Sequence, residues 1–381
     1  MSPRGAGPLA GLRIVELGGV GPGPFAGMLL ADLGADVICL EPVGERSPLV
    51  VRALMRSRRC ASVNLKHPAG ADAVLRLIDT ADACYEGFRP GTAERLGIGP
   101  TQCLARNPRL VYGRMTGWGQ SGPLAQAPGH DINYIALAGA LSAIGPAEHP
   151  SVPLNLLGDF GGGGTFLALG LVSAVLKARA TGRGQVVDAA MTDGIALLLT
   201  AQHSLLSTGE WTEGRGRNIV DGGAPFYTTY RCADGGHVAI GALEPQFYAA
   251  LLKVLDLTGD PDFADQHDRL AWPAMRARLA AIFVTRTRDE WVDMFDGTDA
   301  CVSPVLSLTE APRHPHNAAR ATFGVDSQGA IRANPAPRFS GTPAGEPTAA
   351  PAPGAHTRQV FIEAGLSEAE IDELIDNGVL G

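Results

Sequence analysis

Residues 12–41 decide the fold. They read LRIVEL (12–17), GGVGPGP (18–24), FAGMLLADL (25–33), Gly34 and ADVICLE (35–41). The first and last of these runs are short, apolar and rich in β-branched residues, which predicts two strands. The run between them follows a turn of glycines and prolines and ends at a glycine, which predicts a helix. The stretch is therefore interpreted as a βαβ unit.

The same alternation continues along the chain. Further strands are predicted at 61–65, 83–85, 110–112 and 185–188, and helices at 69–78 and 165–180. Strands that alternate with helices indicate an α/β fold with a Rossmann-like parallel sheet. Short strands followed by helices after residue 226 predict a smaller α+β domain. We therefore expect a large domain at 1–208, a linker at 209–225, a small domain at 226–312, and a return segment with a terminal helix at 313–381.

Composition excludes several classes of protein. The 381 residues are 45% apolar and carry a net charge of −8, with only three lysines. That apolar share is enough for a large core, and the chain lacks the basic stripe of a nucleic-acid-binding protein. No uninterrupted apolar run reaches 18 residues and no signal peptide is evident, so we expect no membrane span and a cytoplasmic location. Six dispersed cysteines indicate reduced thiols, and no residue pattern predicts a metal site.

The glycine-rich turn at 18–24 suggests a nucleotide site. Glu41 ends the second strand, where a dinucleotide-binding fold places the carboxylate that holds a ribose. The glycine spacing does not match that fingerprint, however, and Pro22 and Pro24 remove two N–H groups that would contact a pyrophosphate. The alternative for this segment is a tight turn that binds no nucleotide. For the function of the chain, an NAD-dependent oxidoreductase stays open as a further alternative.

The densest group of unusual residues lies in three segments: GRMTGWGQSGP (113–123), GHDINY (129–134) and NLLGDFGGGG (155–164). His130 precedes a helix-like run and has a side chain suited to proton transfer. Asp159 precedes a helix, where it would be an N-cap, or a base next to N–H groups that the four glycines leave uncovered. Glu244 lies at a strand-to-helix junction, where an acidic residue is also favoured by the helix dipole.

Taken together, these motifs resemble CoA-transferase family III (the CaiB/BaiF type) over residues 9–339. The resemblance rests on motifs in the expected order: RIVEL (13–17) with GPGP (21–24), NLK (64–66), EGFRPG (86–91), ERLG (94–97), 115–122, 129–134, Asp159 with its glycines, and 182–188. It implies a Rossmann-like large domain, a small domain and two interlocked chains. The active site would lie between the large domain of one chain and the small domain of the other.

The resemblance also implies CoA thioesters as substrates, with no NAD, no metal and no cofactor beyond the CoA of the substrate. Within the family, the intact GHDINY motif and ALEPQF (242–247) are most similar to racemases of 2-methylacyl-CoA thioesters. His130 and Asp159 would then be the two acid–base groups, with Glu244 holding His130 and N–H groups after Asp159 holding the enolate oxygen. The alternative within the family is a CoA-transferase with Asp159 as nucleophile.

The CoA-contacting residues come from the same resemblance. They are Val63, Asn64, Leu65, Lys66, Gly87, Phe88, Arg89, Arg95, Gly129, Asp131, Ile132, Asn133 and Tyr134. One departure concerns residues 40–43 (LEPV), where related racemases have a basic residue suited to phosphates. Arg46, Arg58 and Arg59 are candidates to replace it.

Overall fold

The computed structural model describes residues 6–44 and 51–381. Its strands are β1 (Arg13–Glu16), β2 (Asp36–Glu41), β3 (Arg59–Ser62), β4 (Ala83–Glu86), β5 (Val111–Thr116), β6 (Gln185–Ala190), β7 (Tyr227–Arg231), β8 (His237–Gly241), β9 (Val302–Pro304), β10 (Phe323–Val325) and β11 (Ile331–Ala333). Its α-helices are α1 (Pro22–Asp32), α2 (Pro68–Ile78), α3 (Thr92–Arg95), α4 (Pro100–Arg106), α5 (Asp131–Leu137), α6 (Ala140–Ala143), α7 (Thr165–Thr181), α8 (Met191–Leu198), α9 (Thr200–Thr208), α10 (Pro245–Val254), α11 (Trp272–Phe283), α12 (Arg288–Phe295), α13 (Pro315–Ala319), α14 (Thr357–Glu363) and α15 (Glu368–Asp376).

A six-stranded parallel sheet organises the first of two structural units. Its strand order is β3-β2-β1-β4-β5-β6, and Val15 lies opposite Ile38 on one side and Cys84 on the other. The predicted βαβ unit and α/β class are confirmed. The chain builds the sheet outward from β1 to β3 and then resumes on the other side of β1 with β4. That reversal leaves a crevice at the carboxyl ends of β1 and β4, which is where open α/β sheets bind ligands.

Helices from distant parts of the chain cover this sheet. One apolar core joins residues of β1–β5 to α2, α4, α14 and α15. The predicted terminal helix is confirmed as α15, and Ser367 caps it through the N–H of Glu370. Helix α7 packs against strands β5 and β6 of the same sheet and against helix α1. The carboxy-terminal helices are therefore part of the large unit's core.

The second unit has its own small sheet and core. Strands β7, β8 and β9 form an antiparallel sheet in which Tyr227 pairs with Gly241. Helices α10, α11 and α12 pack on it through a core that includes Phe226, Trp272 and Phe283. The strands and helices predicted for this region are present.

The unit boundaries differ from those expected from sequence. The first unit comprises the described residues up to Ala138, together with Leu154–Leu199 and Phe323–Gly381, and the second unit comprises Gly139–Pro153 and Thr200–Thr322. The expected linker is part of the second unit. Arg215 donates hydrogen bonds to the carbonyls of Ser142, Pro146 and Ala147 at 3.0–3.1 Å, which ties the 139–153 segment to it. The buried side chain of Asn218 further bonds both backbone groups of Thr212.

One helical segment is longer than the sequence predicts. A π-helix at Leu156–Gly164 runs directly into α7, so the helix continues from Leu156 to Thr181. In the described part of the chain, this helix is long enough and apolar enough to cross a membrane. An 18-residue window of it has a mean hydropathy of 1.4. This helix is longer than the one predicted at 165–180, because the glycines before Thr165 continue the helix instead of ending it. The expectation that the chain has no membrane span stays a prediction. About two-fifths of its apolar window is buried within the protein.

Candidate active site

A cavity of about 690 Å³ opens at the carboxyl ends of the parallel strands of the first unit. Its wall is built from the turns and segments that follow β1, β4 and β5, together with the 125–134 segment and the start of the π-helix. Parallel strands bring residues that are distant in sequence to one edge of the sheet. His130 and Asp159 both lie on this wall.

Asp159 lies inside the π-helix and is half-buried. Its carboxylate accepts a hydrogen bond from Nδ2 of Asn155 at 3.1 Å, and its main-chain N–H donates to Oδ1 of Asp131 at 2.6 Å. Burial raises the pKa of Asp159 above the usual range of an aspartate, and the charge of Asp131 raises it further. The Asn155 hydrogen bond and the His130 side chain oppose that rise. This environment is suited to a carboxyl group that both takes up and releases a proton.

The four glycines after Asp159 allow close packing of the π-helix. A side chain at Gly163 would overlap Met191 of α8 and Pro22 of α1, and one at Gly164 would lie 2.7 Å from the carbonyl oxygen of Pro22. In a π-helix each N–H bonds to the carbonyl five residues before it, as Thr165 does with Phe160. The N–H groups of Gly161–Gly164 are therefore engaged within the helix. The N-cap interpretation of Asp159 and the expected oxyanion site at these glycines are both wrong.

The glycine-rich turn before α1 contacts Asp159 directly. Gly21 has φ +64°, and a Cβ built on it would lie 2.8 Å from Oδ2 of Asp159. Next to Asp159, Phe160 stacks on Phe25 of α1 with ring centroids 4.4 Å apart. The turn that resembles a nucleotide-binding loop thus packs against the carboxylate. Glu41, the candidate ribose ligand, is buried and does not line the cavity, so the dinucleotide interpretation has no carboxylate in place.

His130 is the residue before the first turn of α5 and is exposed on the cavity wall. Its main-chain N–H donates to Oδ1 of Asn133 at 3.0 Å, which fixes the backbone at this corner. The ring of Tyr134 packs edge-on against Trp118 with centroids 4.7 Å apart. A side chain at Gly129 would overlap the Tyr134 ring, so that glycine is required for the close approach.

Part of the predicted CoA-contacting set lies on the cavity wall. The members found there are Gly87, Phe88, Arg89, Gly129, Asn133 and Tyr134. Glu86, buried at the end of β4, shapes this loop: its Oε2 accepts the N–H of Phe88 at 2.5 Å and its Oε1 accepts from Arg114. Burial raises the pKa of Glu86. Sequence reasoning quoted Glu86 as the first residue of the EGFRPG motif but assigned it no role.

The other predicted CoA contacts do not line the cavity. They are Val63, Asn64, Leu65, Lys66, Arg95, Asp131 and Ile132. Val63 is buried and bridges to Leu380, and the N–H of Asn64 donates to the carbonyl of Val379 at 2.8 Å. This segment is therefore braced by the carboxy-terminal residues, and its contacts with CoA remain predictions. The carboxylate of Asp131 is buried against Asp159.

Arg58 and Arg59, two of the candidate phosphate ligands, form ion pairs with carboxylates of the same unit. Arg58 is fully buried in an ion pair with Glu16 and donates to the carbonyl of Pro24 at 2.7 Å. Arg59 is paired with Asp36 and, at 2.8 Å, with Glu363. The proposed compensation by these two arginines is wrong because both are neutralised within the unit. Arg46 lies outside the described residues.

Glu244 lies in the second unit and is the exposed residue directly before α10. Its side chain makes no capping hydrogen bond to the helix. Its predicted position at a strand-to-helix junction is confirmed, and its role in the reaction stays a prediction.

Cys39, Glu41 and Cys60 place potential ligand atoms within 4.8 Å of one another in the core. The neighbouring Cys60 and burial raise the pKa of the Cys39 thiol. Proximity alone does not make this cluster a metal site.

Comparisons with known proteins agree with this architecture. The family model of CoA-transferase family III matches residues 9–357. An alpha-methylacyl-CoA racemase of Mus musculus is 46% identical over 369 residues, covering 96% of each chain. That of Homo sapiens is 44% identical over 375 residues, covering 98% of this chain and 97% of its own. A crystal structure of a CaiB/BaiF family protein from Brucella suis superposes with a TM-score of 0.81 at 25% identity, covering 94% of this chain and all of its own. The chain belongs to CoA-transferase family III.

Proposed function

We propose that this chain is an α-methylacyl-CoA racemase that interconverts the (2R) and (2S) forms of 2-methylacyl-CoA thioesters. The observation that carries the proposal is that His130 and a half-buried Asp159 lie on the wall of one cavity. Relatives with 44–46% identity over nearly the whole chain carry that name. The cavity volume and its mostly apolar lining suit the reacting end of an acyl thioester.

The reaction requires two groups that exchange a proton with one carbon. A thioester acidifies its α-carbon, and removal of that proton leaves an enolate. Returning a proton to the opposite face inverts the centre. His130 and Asp159 are proposed as the two groups, each acting as base for one enantiomer and as acid for the other. Positioned acid–base groups typically contribute about 10²–10⁴-fold.

The pKa of Asp159 is central to this mechanism. A carboxyl group with an ordinary pKa is almost fully ionised at neutral pH and is a poor acid toward carbon. Burial of Asp159 raises its pKa, so a larger fraction is protonated. Glu244 is proposed as a third group of the reaction, which orients His130. No metal or redox cofactor enters the proposed chemistry.

CoA transfer is the second candidate, because a half-buried carboxylate on a cavity wall also suits a nucleophile. In that reaction Asp159 attacks the thioester carbonyl, CoA leaves as the thiolate, and a mixed anhydride forms on the carboxylate. The transferase reaction needs a free acid acceptor and assigns no proton transfer to His130. Inactivation by hydroxylamine or borohydride only in the presence of acyl-CoA would indicate this intermediate.

The active protein is proposed to be a homodimer. Several leucines on the outer faces of α7 and α8 are exposed, among them Leu169, Leu176 and Leu197 at 60%, 73% and 60%. Apolar side chains exposed to this degree on long helices suit a surface that a partner covers. Light scattering coupled to size exclusion should give twice the 39.6 kDa mass of one chain. A monomeric mass, or binding to lipid vesicles instead, would reject the homodimer.

The deciding experiment incubates each enantiomer of a 2-methylacyl-CoA separately with the protein in D₂O. Mass spectrometry and chiral analysis then follow the α-carbon. We expect uptake of one deuterium together with loss of chirality. If neither enantiomer takes up deuterium, the racemase proposal fails, and the transferase is tested with acyl-CoA and a panel of free acids.

A further inference from the structure

We propose that Asp131 is a positioning residue that sets the placement of Asp159 relative to His130. This inference rests on the proposed function. Asp131 follows His130 directly in the chain, and its carboxylate accepts the main-chain N–H of Asp159. One short side chain thus connects the backbone that carries one proton carrier to the backbone that carries the other.

The contact is specific and buried. Asp131 is only 7% exposed, and Oδ1 lies 2.6 Å from the nitrogen of Asp159. A hydrogen bond to an ionised acceptor at this distance is stronger than a neutral one. The residue before Asp159 is also adapted to it: a Cβ at Gly158 would overlap Oδ1 and lie 2.7 Å from Cγ of Asp131. A side chain at position 158 would therefore separate the two segments.

The helix that carries Asp131 is anchored at the same corner. The N–H of His130 is held by Asn133 one turn later, and Tyr134 is packed against Trp118. Asp131 starts this helix, so its carboxylate transmits the position of α5 to the π-helix. In acid–base catalysis a displacement of about 1 Å can cost about 10²-fold in rate.

The second oxygen of Asp131 adds an electrostatic effect. Among the described residues, Oδ2 is buried and accepts no hydrogen bond. The groups that face Asp159 are Asp131, His130, Asn155 and Tyr134. Of these, Asp131 is the one with a negative charge. A like charge disfavours ionisation, so Asp131 helps keep the pKa of Asp159 raised.

Two substitutions separate the hydrogen bond from the charge. Asp131→Asn keeps an oxygen that can accept the Asp159 N–H but removes the charge. Asp131→Ala removes both. We expect Asp131→Ala to lower deuterium exchange from both enantiomers by about 10²-fold, with KM for the acyl-CoA changed less than about 3-fold. We expect Asp131→Asn to keep most of the rate at its own optimum.

The pH profile provides a readout that a purely structural role would not move. Removing a negative charge near Asp159 lowers the pKa of Asp159. In Asp131→Asn the acid limb for the enantiomer deprotonated by Asp159 should therefore move to lower pH. An unmoved limb, a rate as low as that of Asp131→Ala, or normal exchange in Asp131→Ala would each overturn the inference.

A matched control exists at the other end of the sheet. Oδ2 of Asp82 accepts the main-chain N–H of Arg13 at 3.0 Å, far along the strands from the cavity. Asp82→Ala should lower the melting temperature but leave exchange and its pH profile unchanged. If it lowers exchange as Asp131→Ala does, loss of stability explains both and the inference fails.

The inference can fail separately from the proposed function. If the wild type exchanges no deuterium, the racemase proposal fails whatever Asp131 does. Amide hydrogen exchange of the 156–164 segment, read by mass spectrometry, then tests the contact itself. Faster exchange there in Asp131→Ala than in Asp131→Asn supports the bond, whereas equal exchange in both rejects it. This readout also serves if Asp131→Ala is too unstable for kinetics.

Discussion

The missing side chain of Gly21 makes room for the carboxylate of Asp159: a Cβ there would lie 2.8 Å from Oδ2. Gly21 lies in the glycine-rich turn after β1 and directly precedes α1, whereas Asp159 lies in a π-helix reached only after β5. Gly21 has a positive φ, which residues with a side chain rarely adopt. The turn that looks suited to phosphates in the sequence therefore forms part of the wall around a candidate acid–base group.

Gly21→Ala should damage the site more than it damages the fold. The positive φ costs roughly 1–3 kcal/mol, and the new methyl displaces the Asp159 carboxylate. We expect deuterium exchange to fall by about 10²-fold or more for at least one enantiomer. Gly11→Ala is the matched control because Gly11 also has positive φ (+81°) but open space at its Cβ. Equal losses of exchange in both variants would show that strain alone is responsible.

Removal of each proposed acid–base group should affect the two enantiomers differently. In His130→Ala the enantiomer deprotonated by His130 should lose exchange by about 10²-fold or more, while the other still exchanges its α-proton without inversion. Asp159→Asn should give the opposite pattern. Separate incubation of each enantiomer in D₂O measures both. Unchanged exchange of both enantiomers in His130→Ala would contradict the two-base mechanism.

Asn155 should tune the pH dependence of the same site in the direction opposite to Asp131. Its Nδ2 donates to the Asp159 carboxylate and so stabilises the charged form. Asn155→Ala should raise the pKa of Asp159 further. For the enantiomer deprotonated by Asp159, the acid limb of the rate should then move to higher pH. Asn107→Ala removes a carboxamide bonded to the carbonyls of Ile78 and Ala81 and should leave the profile unchanged. A shift of the limb to lower pH in Asn155→Ala would contradict this assignment.

The buried pair of Glu16 and Arg58 should be important for stability. Arg58 also donates to the carbonyl of Pro24, and the hydroxyl of Tyr85 donates to that of Gly23 at 3.1 Å. Arg58→Met would leave a buried, unpaired carboxylate and should lower the free energy of unfolding by about 3–5 kcal/mol. The double variant Glu16→Leu/Arg58→Met should recover much of that loss in urea titrations. A double variant as unstable as Arg58→Met would show that the contacts to the turn, not the charge, dominate.

Much of the architecture is determined by local sequence patterns. The alternation at 12–41 predicts β1, α1 and β2, and Ser367 predicts the start of α15, because hydrophobic periodicity and helix capping act within a few residues. For the same reason His130 could be placed directly before a helix, whereas Asp159, expected before a helix, lies inside one. The resemblance of these motifs to a family then added the chemistry, which residue patterns alone had left open.

Tertiary structure decided what those residues contact. The approach of Gly21 to Asp159, the bond from Asp159 to Asp131 and the burial of Arg58 against Glu16 all join segments that are distant in the chain. No local pattern encodes such contacts, because they depend on how the sheet brings its strand ends together. The glycines after Asp159 show the same limit: sequence suggests free N–H groups, whereas packing against α1 and α8 makes them the interior of a π-helix. The sequence alone thus determined which residues are available for chemistry, and only the folded packing determined their partners, burial and protonation.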